Sequence, residues 1–95
     1  MEKRENRRIL AEEAIAYGGM LLRYRLIDRM EENGRFHVVA ANGAECEEVS
    51  VGNDICFAAD CYRAVRDGRV TPCTLDDVIR DLHTMAINFS KPLYK

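Results

Sequence analysis

Two Asn-Gly dipeptides, Asn33-Gly34 and Asn42-Gly43, cut residues 21 to 51 into three short runs, and this punctuation constrains the chain more than any other feature. Asn-Gly suits tight turns whose central residues take positive φ, so between alternating apolar runs it is the strongest short-range hairpin signal. The runs alternate as that signal requires. Between Met20 and Met30, Leu22, Tyr24 and Leu26 share one face, while Arg23, Arg25 and Arg29 share the other with Ile27. Over residues 35–41, Phe36, Val38 and Ala40 lie on one face and Arg35, His37 and Val39 on the other. A period of two predicts strands covered on one side. In the third run Cys46 is in one phase and Val49 and Val51 in the other, so a bulge near Glu47 and Glu48 is expected to keep all three inward.

After Gly52-Asn53 the period changes. Ile55, Ala58, Ala59, Tyr62 and Val65 recur at steps of three and four, with Asp54 as N-cap and Gly68 as stop, and predict a helix. A second helix follows from Thr74 as cap, Asp76 and Asp77 in the dipole-favoured first turn, and a stripe of Leu75, Val78, Ile79, Leu82 and Met85. Asp76 and Arg80 add an i,i+4 pair. Upstream, residues 2 to 17 are strong helix formers with Leu10, Ala14 and Tyr17 on one side, which predicts an N-terminal helix ended by Gly18-Gly19. Its basic first turn, with Lys3, Arg4, Arg7 and Arg8, opposes the helix dipole.

These elements predict one α+β domain over residues 1–95. Residues 1–19 form an N-terminal helix and turn. Residues 20–87 form a core in which a three-stranded antiparallel meander packs against two C-terminal helices, and residues 88–95 an irregular tail. The strands are expected to give the core Leu22, Tyr24, Leu26, Phe36, Val38 and Val51, and the helices Ile55, Ala58, Tyr62, Val65, Leu75, Val78, Ile79 and Leu82.

The segment Val70-Thr71-Pro72-Cys73-Thr74-Leu75-Asp76-Asp77-Val78-Ile79-Arg80-Asp81-Leu82, taken with Tyr24-Arg25-Leu26 and Val51-Gly52-Asn53-Asp54-Ile55, resembles a family of small uncharacterised bacterial proteins, domain of unknown function family 6514. The resemblance covers residues 21 to 84. It implies a strand-rich half followed by a helical half, and it brings no activity, cofactor or catalytic residue.

Composition bounds the partners. Fourteen basic against sixteen acidic residues give a net charge of −2, so no overall field draws the molecule to nucleic acid or to an anionic membrane. No apolar run is long enough for a membrane span, and the charged start lacks the apolar stretch of a signal peptide, so a cytoplasmic location is expected. The four cysteines then read as reduced thiols.

Reactive constellations are poorly represented. Cys56 and Cys61 stand five apart on one predicted helix, roughly 140° around its axis, and cannot present two thiolates to one ion. A site drawn from separate elements, such as Cys46, His37 and His83, stays open. Cys73 and His83 are separated by roughly 15 Å if both lie on the last helix, too far to share a proton. Asp77 and Asp81, at i,i+4, read as solvated surface rather than an acid–base pair. The chain is therefore expected to be a non-enzyme without cofactor or metal.

Two binding readings remain. The row Arg23, Arg25, Arg29 and Arg35 suits a phosphate backbone, with Lys3, Arg4, Arg7 and Arg8 as helpers. That face lacks aromatic residues for stacking, however, and Glu45, Glu47 and Glu48 lie two strands away. Ile27, His37 and Val39 stand among the same charges, and apolar residues on a nominally outer face imply a cover, either the N-terminal helix or a second copy. The leading expectation is a protein-interaction or regulatory module, as a homodimer or with another protein. A small nucleic-acid-binding regulator is the alternative.

Overall fold

The computed structural model describes residues 7–30 and 34–90, with residues 87–90 as backbone alone. Its elements are β1 (Arg8–Tyr17), β2 (Met20–Asp28), β3 (Phe36–Ala41), β4 (Cys46–Gly52), α1 (Ile55–Asp67), a 3₁₀ turn (Pro72–Thr74) and α2 (Leu75–Ser90). The strands form one four-stranded antiparallel sheet in the order β1-β2-β3-β4, and both helices pack on one face of it.

This corrects the expected three-stranded meander with an N-terminal helix. Residues 8–17 form a strand paired along its length with β2, from Arg8 opposite Asp28 to Tyr17 opposite Met20. Gly18 and Gly19 do not stop a helix. At φ 59° and 82° they make the two-residue turn of the β1–β2 hairpin, in a conformation costly for residues bearing a Cβ. Helix propensity in Ala- and Glu-rich residues 11–16 amounts to a few tenths of a kcal/mol each, and strand pairing outweighs it. A helix there would have left the second edge of β2 with unpaired N–H and C=O groups beside its buried side chains.

The core lies between sheet and helices. Leu22, Tyr24, Leu26, Phe36, Val38, Ala40 and Val51 meet Ala58, Cys61, Tyr62, Val65, Leu75 and Ile79, with Ala11, Ile15, Val78 and Leu82 packed at the margin. Ile55 is a correction, being 45% exposed at the first position of α1. Tyr24 is fully buried, and its hydroxyl donates to the Val70 carbonyl at 2.9 Å, tying β2 to the segment after α1.

Local chemistry explains the boundaries. Asp54 caps α1, its Oδ1 accepting from Cys56 N–H at 2.9 Å and Phe57 N–H at 3.4 Å. The β3–β4 turn uses Asn42 through its side chain, whose Oδ1 accepts from the N–H groups of Ala44 and Glu45. Gly43 keeps a negative φ, so Asn42-Gly43 makes its turn by a different device from the one its letters suggest. Asn33 of the other dipeptide lies outside the described residues. There the chain closes through Arg29 N–H donating to the Arg35 carbonyl at 2.8 Å. The β4 bulge falls at Val51, between the pairs Gly52–Phe36 and Ser50–His37, rather than at Glu47–Glu48. Val49, opposite Val38, and Val51 both face inward, while Cys46, opposite Ala41, stays exposed. Thr74 belongs to the 3₁₀ turn, and α2 continues to Ser90 through the residues expected to begin a tail. Residues 91–95 lie outside the described residues.

Candidate functional site

The outer sheet face carries the arginine row, and three of its four members are engaged. Arg25 Nε donates to Glu12 Oε2 at 2.9 Å, directly across the β1–β2 ladder. Arg29 Nη1 donates to Glu48 Oε2 at 2.8 Å. Arg35 turns away from the row and clamps Asp28 with two parallel hydrogen bonds of 2.8 and 2.9 Å. Asp28 also accepts from Met30 N–H at 2.8 Å, so this buried carboxylate is well satisfied, and the Arg35 bonds above all hold its pKa below the ordinary range. Arg23 is exposed and has no ion-pair partner among the described residues. Of the expected helpers, Lys3 and Arg4 lie outside the described residues.

Ile27, His37 and Val39 share that face. Ile27 and Val39 are 0% and 5% exposed, although none of the described helices covers them. The register explains part of this: Val39 stands between Arg25 on β2 and Glu48 on β4, and Ile27 between Ile9 and His37. Aliphatic stems of ion-paired arms flank the apolar side chains while the charged heads stay in water. His37 Nε2 meets the Gly34 carbonyl at 2.9 Å. Its Nδ1 lies 3.0 Å from Glu48 Oε2 but lacks the angle of a hydrogen bond, so this is a close polar contact only. In the single chain Ile27 and Val39 offer little apolar surface to a partner.

Exposed apolar surface gathers elsewhere. Of the eight large apolar side chains exposed among the described residues, Ile9, Leu10, Tyr17, Met20 and Leu21 lie on the β1–β2 hairpin, and only Met30, Ile55 and Met85 lie off it. The hairpin is held from the helix side by Glu13, whose Oε1 accepts from Tyr62 Oη and from Arg66 Nη1, each at 3.0 Å. Arg66, then Tyr62, lower the Glu13 pKa, while burial and the Glu13 carboxylate raise that of Tyr62. At the tip the Arg69 guanidinium lies over the Tyr17 ring, 5.8 Å from its centroid. The sequence signal for this hairpin was present, since Gly18-Gly19 separates Ile15 and Tyr17 from Leu22 and Tyr24.

Two further depressions gather cysteine, histidine and acidic side chains. One, of about 470 Å³, is lined by Asp54, Cys56, Phe57, Asp60 and His83 among others. His83 packs on the Phe57 ring with centroids 4.9 Å apart, no hydrogen bond joins His83 to Cys56, and Asp54 is occupied as the α1 cap. The other, of about 350 Å³, brings the exposed thiols of Cys46 and Cys73 to one depression beside Glu45, Glu47 and Pro72. Cys61 is buried in the core, and desolvation pushes its thiol up to about 11. Cys46, His37 and His83 sit on different parts of the fold, and among the described residues no group of three or more His, Cys, Asp or Glu is placed to hold a metal ion. No helix among these residues is long and apolar enough to cross a membrane.

No protein-family model matches the sequence, and searches of the curated proteins and of the solved structures found no similar chain. The site must be read from its own geometry.

Proposed function

We propose that this chain is a protein-interaction module and that its docking element is the β1–β2 hairpin with the open edge of β1. The observation that carries this reading is the concentration of exposed Ile9, Leu10, Tyr17, Met20 and Leu21 on one hairpin, at a sheet edge with no neighbouring strand among the described residues. Exposed large apolar side chains gathered on one element, with Tyr17, Met20 and Leu21 together at its turn end, mark a surface suited to contact with another macromolecule. A long strand edge adds a row of backbone donors and acceptors that a partner strand can complete. Electrostatics favour a protein over a nucleic acid, because Arg25, Arg29 and Arg35 are neutralised by Glu12, Glu48 and Asp28, and a phosphate would have to displace a carboxylate at each.

The test is affinity capture from nuclease-treated native extract, comparing the wild type with a Tyr17→Ser, Leu21→Ser variant whose circular dichroism is unchanged. Proteins retained by the wild type are expected to be lost with the variant. Equal retention would overturn the reading. So would retention that depends on nucleic acid and disappears with Arg23→Glu.

A further inference from the structure

Resting on that docking reading, we propose that the occupant of the open edge is a second copy of this chain, β1 pairing antiparallel with β1 about a two-fold axis at Ala14 and joining the two four-stranded sheets into one. The hairpin turn sets which backbone groups are available. A two-residue turn makes its closing pair, Tyr17 and Met20, a hydrogen-bonded pair, and bonded and non-bonded pairs alternate along an antiparallel ladder. Ala11, Glu13, Ile15 and Tyr17 therefore direct N–H and C=O toward β2, whereas Glu12, Ala14 and Ala16 direct theirs to the open side.

Centring the two-fold on Ala14 matches these free groups with themselves. Ala14 meets its counterpart, Glu12 meets Ala16 on either side, and about six backbone hydrogen bonds close the seam. Between them Glu13 stands opposite Ile15 and Ala11 opposite Tyr17. No carboxylate faces another, and Ala14 and Ala16 bring no bulk to the seam.

Charge completes the case. The carboxylates of β1 are both neutralised within their own chain, Glu12 by Arg25 at 2.9 Å and Glu13 by Arg66 at 3.0 Å, so two copies of the edge meet without like-charge repulsion. Apart from the bulge at Leu10, β1 has none of the lysine or proline devices that blunt an edge. The opposite edge, β4, is shorter and carries Glu47, which has no ion-pair partner among the described residues, and both features discourage pairing. The sheet thus has one protected edge and one self-complementary edge, and an isologous dimer uses up the latter.

Sedimentation velocity over a range of protein concentrations tests this. The wild type is expected to reach dimer mass, at low and at high salt alike. Ala14→Pro removes an N–H that faces away from β2 and is expected to leave a folded monomer. Ala14→Lys with Ala16→Lys, which places charge at the seam without altering the backbone, is expected to do the same and serves if the proline variant fails to fold. A wild type that stays monomeric throughout, or a dimer that survives the lysine pair, overturns self-pairing. Should a monomeric wild type still capture other proteins through Tyr17 and Leu21, self-pairing fails while the docking reading stands; if hairpin-dependent capture is also absent, both fail.

Discussion

The β2–β4 portion of the sheet and the β1 flank are built from the same ladder, yet they are held by different physics. Beneath β2, β3 and β4 both helices close a core in which Leu22, Tyr24 and Val38 are fully buried. Beneath β1 the helix contact narrows to Ala11 and Ile15 at the margin of the core and to the carboxylate of Glu13 held by Tyr62 and Arg66. One region is stabilised by apolar area removed from water. The other depends on backbone pairing with a single neighbour and on a few polar ties, so its free energy of local opening should be lower. A strand held in this way is available to a partner, whereas one sealed under helices is not.

The comparison can be broken most easily at its strong side. Leu22→Ala should cost about 2–5 kcal/mol in urea unfolding, because a fully buried leucine leaves a cavity in the roofed region. Ile15→Ala, at a half-buried position on β1, should cost roughly 1–2 kcal/mol. If the two losses are equal, the flank is as well anchored as the core and the distinction fails. Next in size, Tyr24→Phe removes the hydroxyl bonded to the Val70 carbonyl and should cost about 1 kcal/mol.

Acid titration sharpens the picture at the base of the β2–β3 connection. The Asp28 pKa is depressed in the folded protein, so its contribution is fully present above the ordinary carboxylate value of about 3.9 and is lost as pH falls through the lower folded value. The stability gap between the wild type and Asp28→Asn should hold steady above about pH 5 and close in stronger acid. A gap that is flat down to the lowest accessible pH would remove the Arg35 clamp from the account.

The smallest effects belong to the flank's own ties. Tyr62→Phe removes one donor to Glu13, and native-state hydrogen exchange should quicken in β1 while β3 keeps its protection. Uniform acceleration across the sheet would show that the tie serves the whole fold. Arg25→Gln breaks a half-exposed ion pair with Glu12 and should change stability by no more than about 1 kcal/mol.

The strands β2, β3 and β4 and the two helices were legible in outline, because alternation, the Asp54 cap and the Gly68 stop there agree with where most core residues lie; Ile55, Cys46, the place of the β4 bulge and the burial of Ile27 and Val39 were not. Asp54 caps as its position requires, and the Asp76–Arg80 pair forms at 2.7 Å. Residues 8–17 were not legible by the same means. Their Ala and Glu content favours a helix by local propensity, and the apolar members Leu10, Ala14 and Tyr17 fall at helical as well as irregular strand spacing. The bulge at Leu10 masks the period of two, since Ile9 and Ala11 pair with adjacent residues of β2. The arginine row was visible as a pattern, and so were the β4 glutamates two strands away that can offset it, one of which, Glu48, holds Arg29. The pairing of Arg25 with Glu12 and of Arg35 with Asp28 was not, because those carboxylates reach their partners only once strands are aligned.

By itself, then, the chain's order of residues determined the β2–β4 meander, the two helices over it and their inward stripes, since each follows from turn chemistry and from hydrophobic period over a few neighbours. Tertiary structure alone decided that residues 8–17 pair as a strand, that Arg25 and Arg35 are spent on Glu12 and Asp28, and that β1 stands at a sheet edge with no neighbouring strand among the described residues. Those outcomes rest on contacts between residues far apart in sequence, where pairing a backbone edge and satisfying a charge outweigh the small preferences of any local segment.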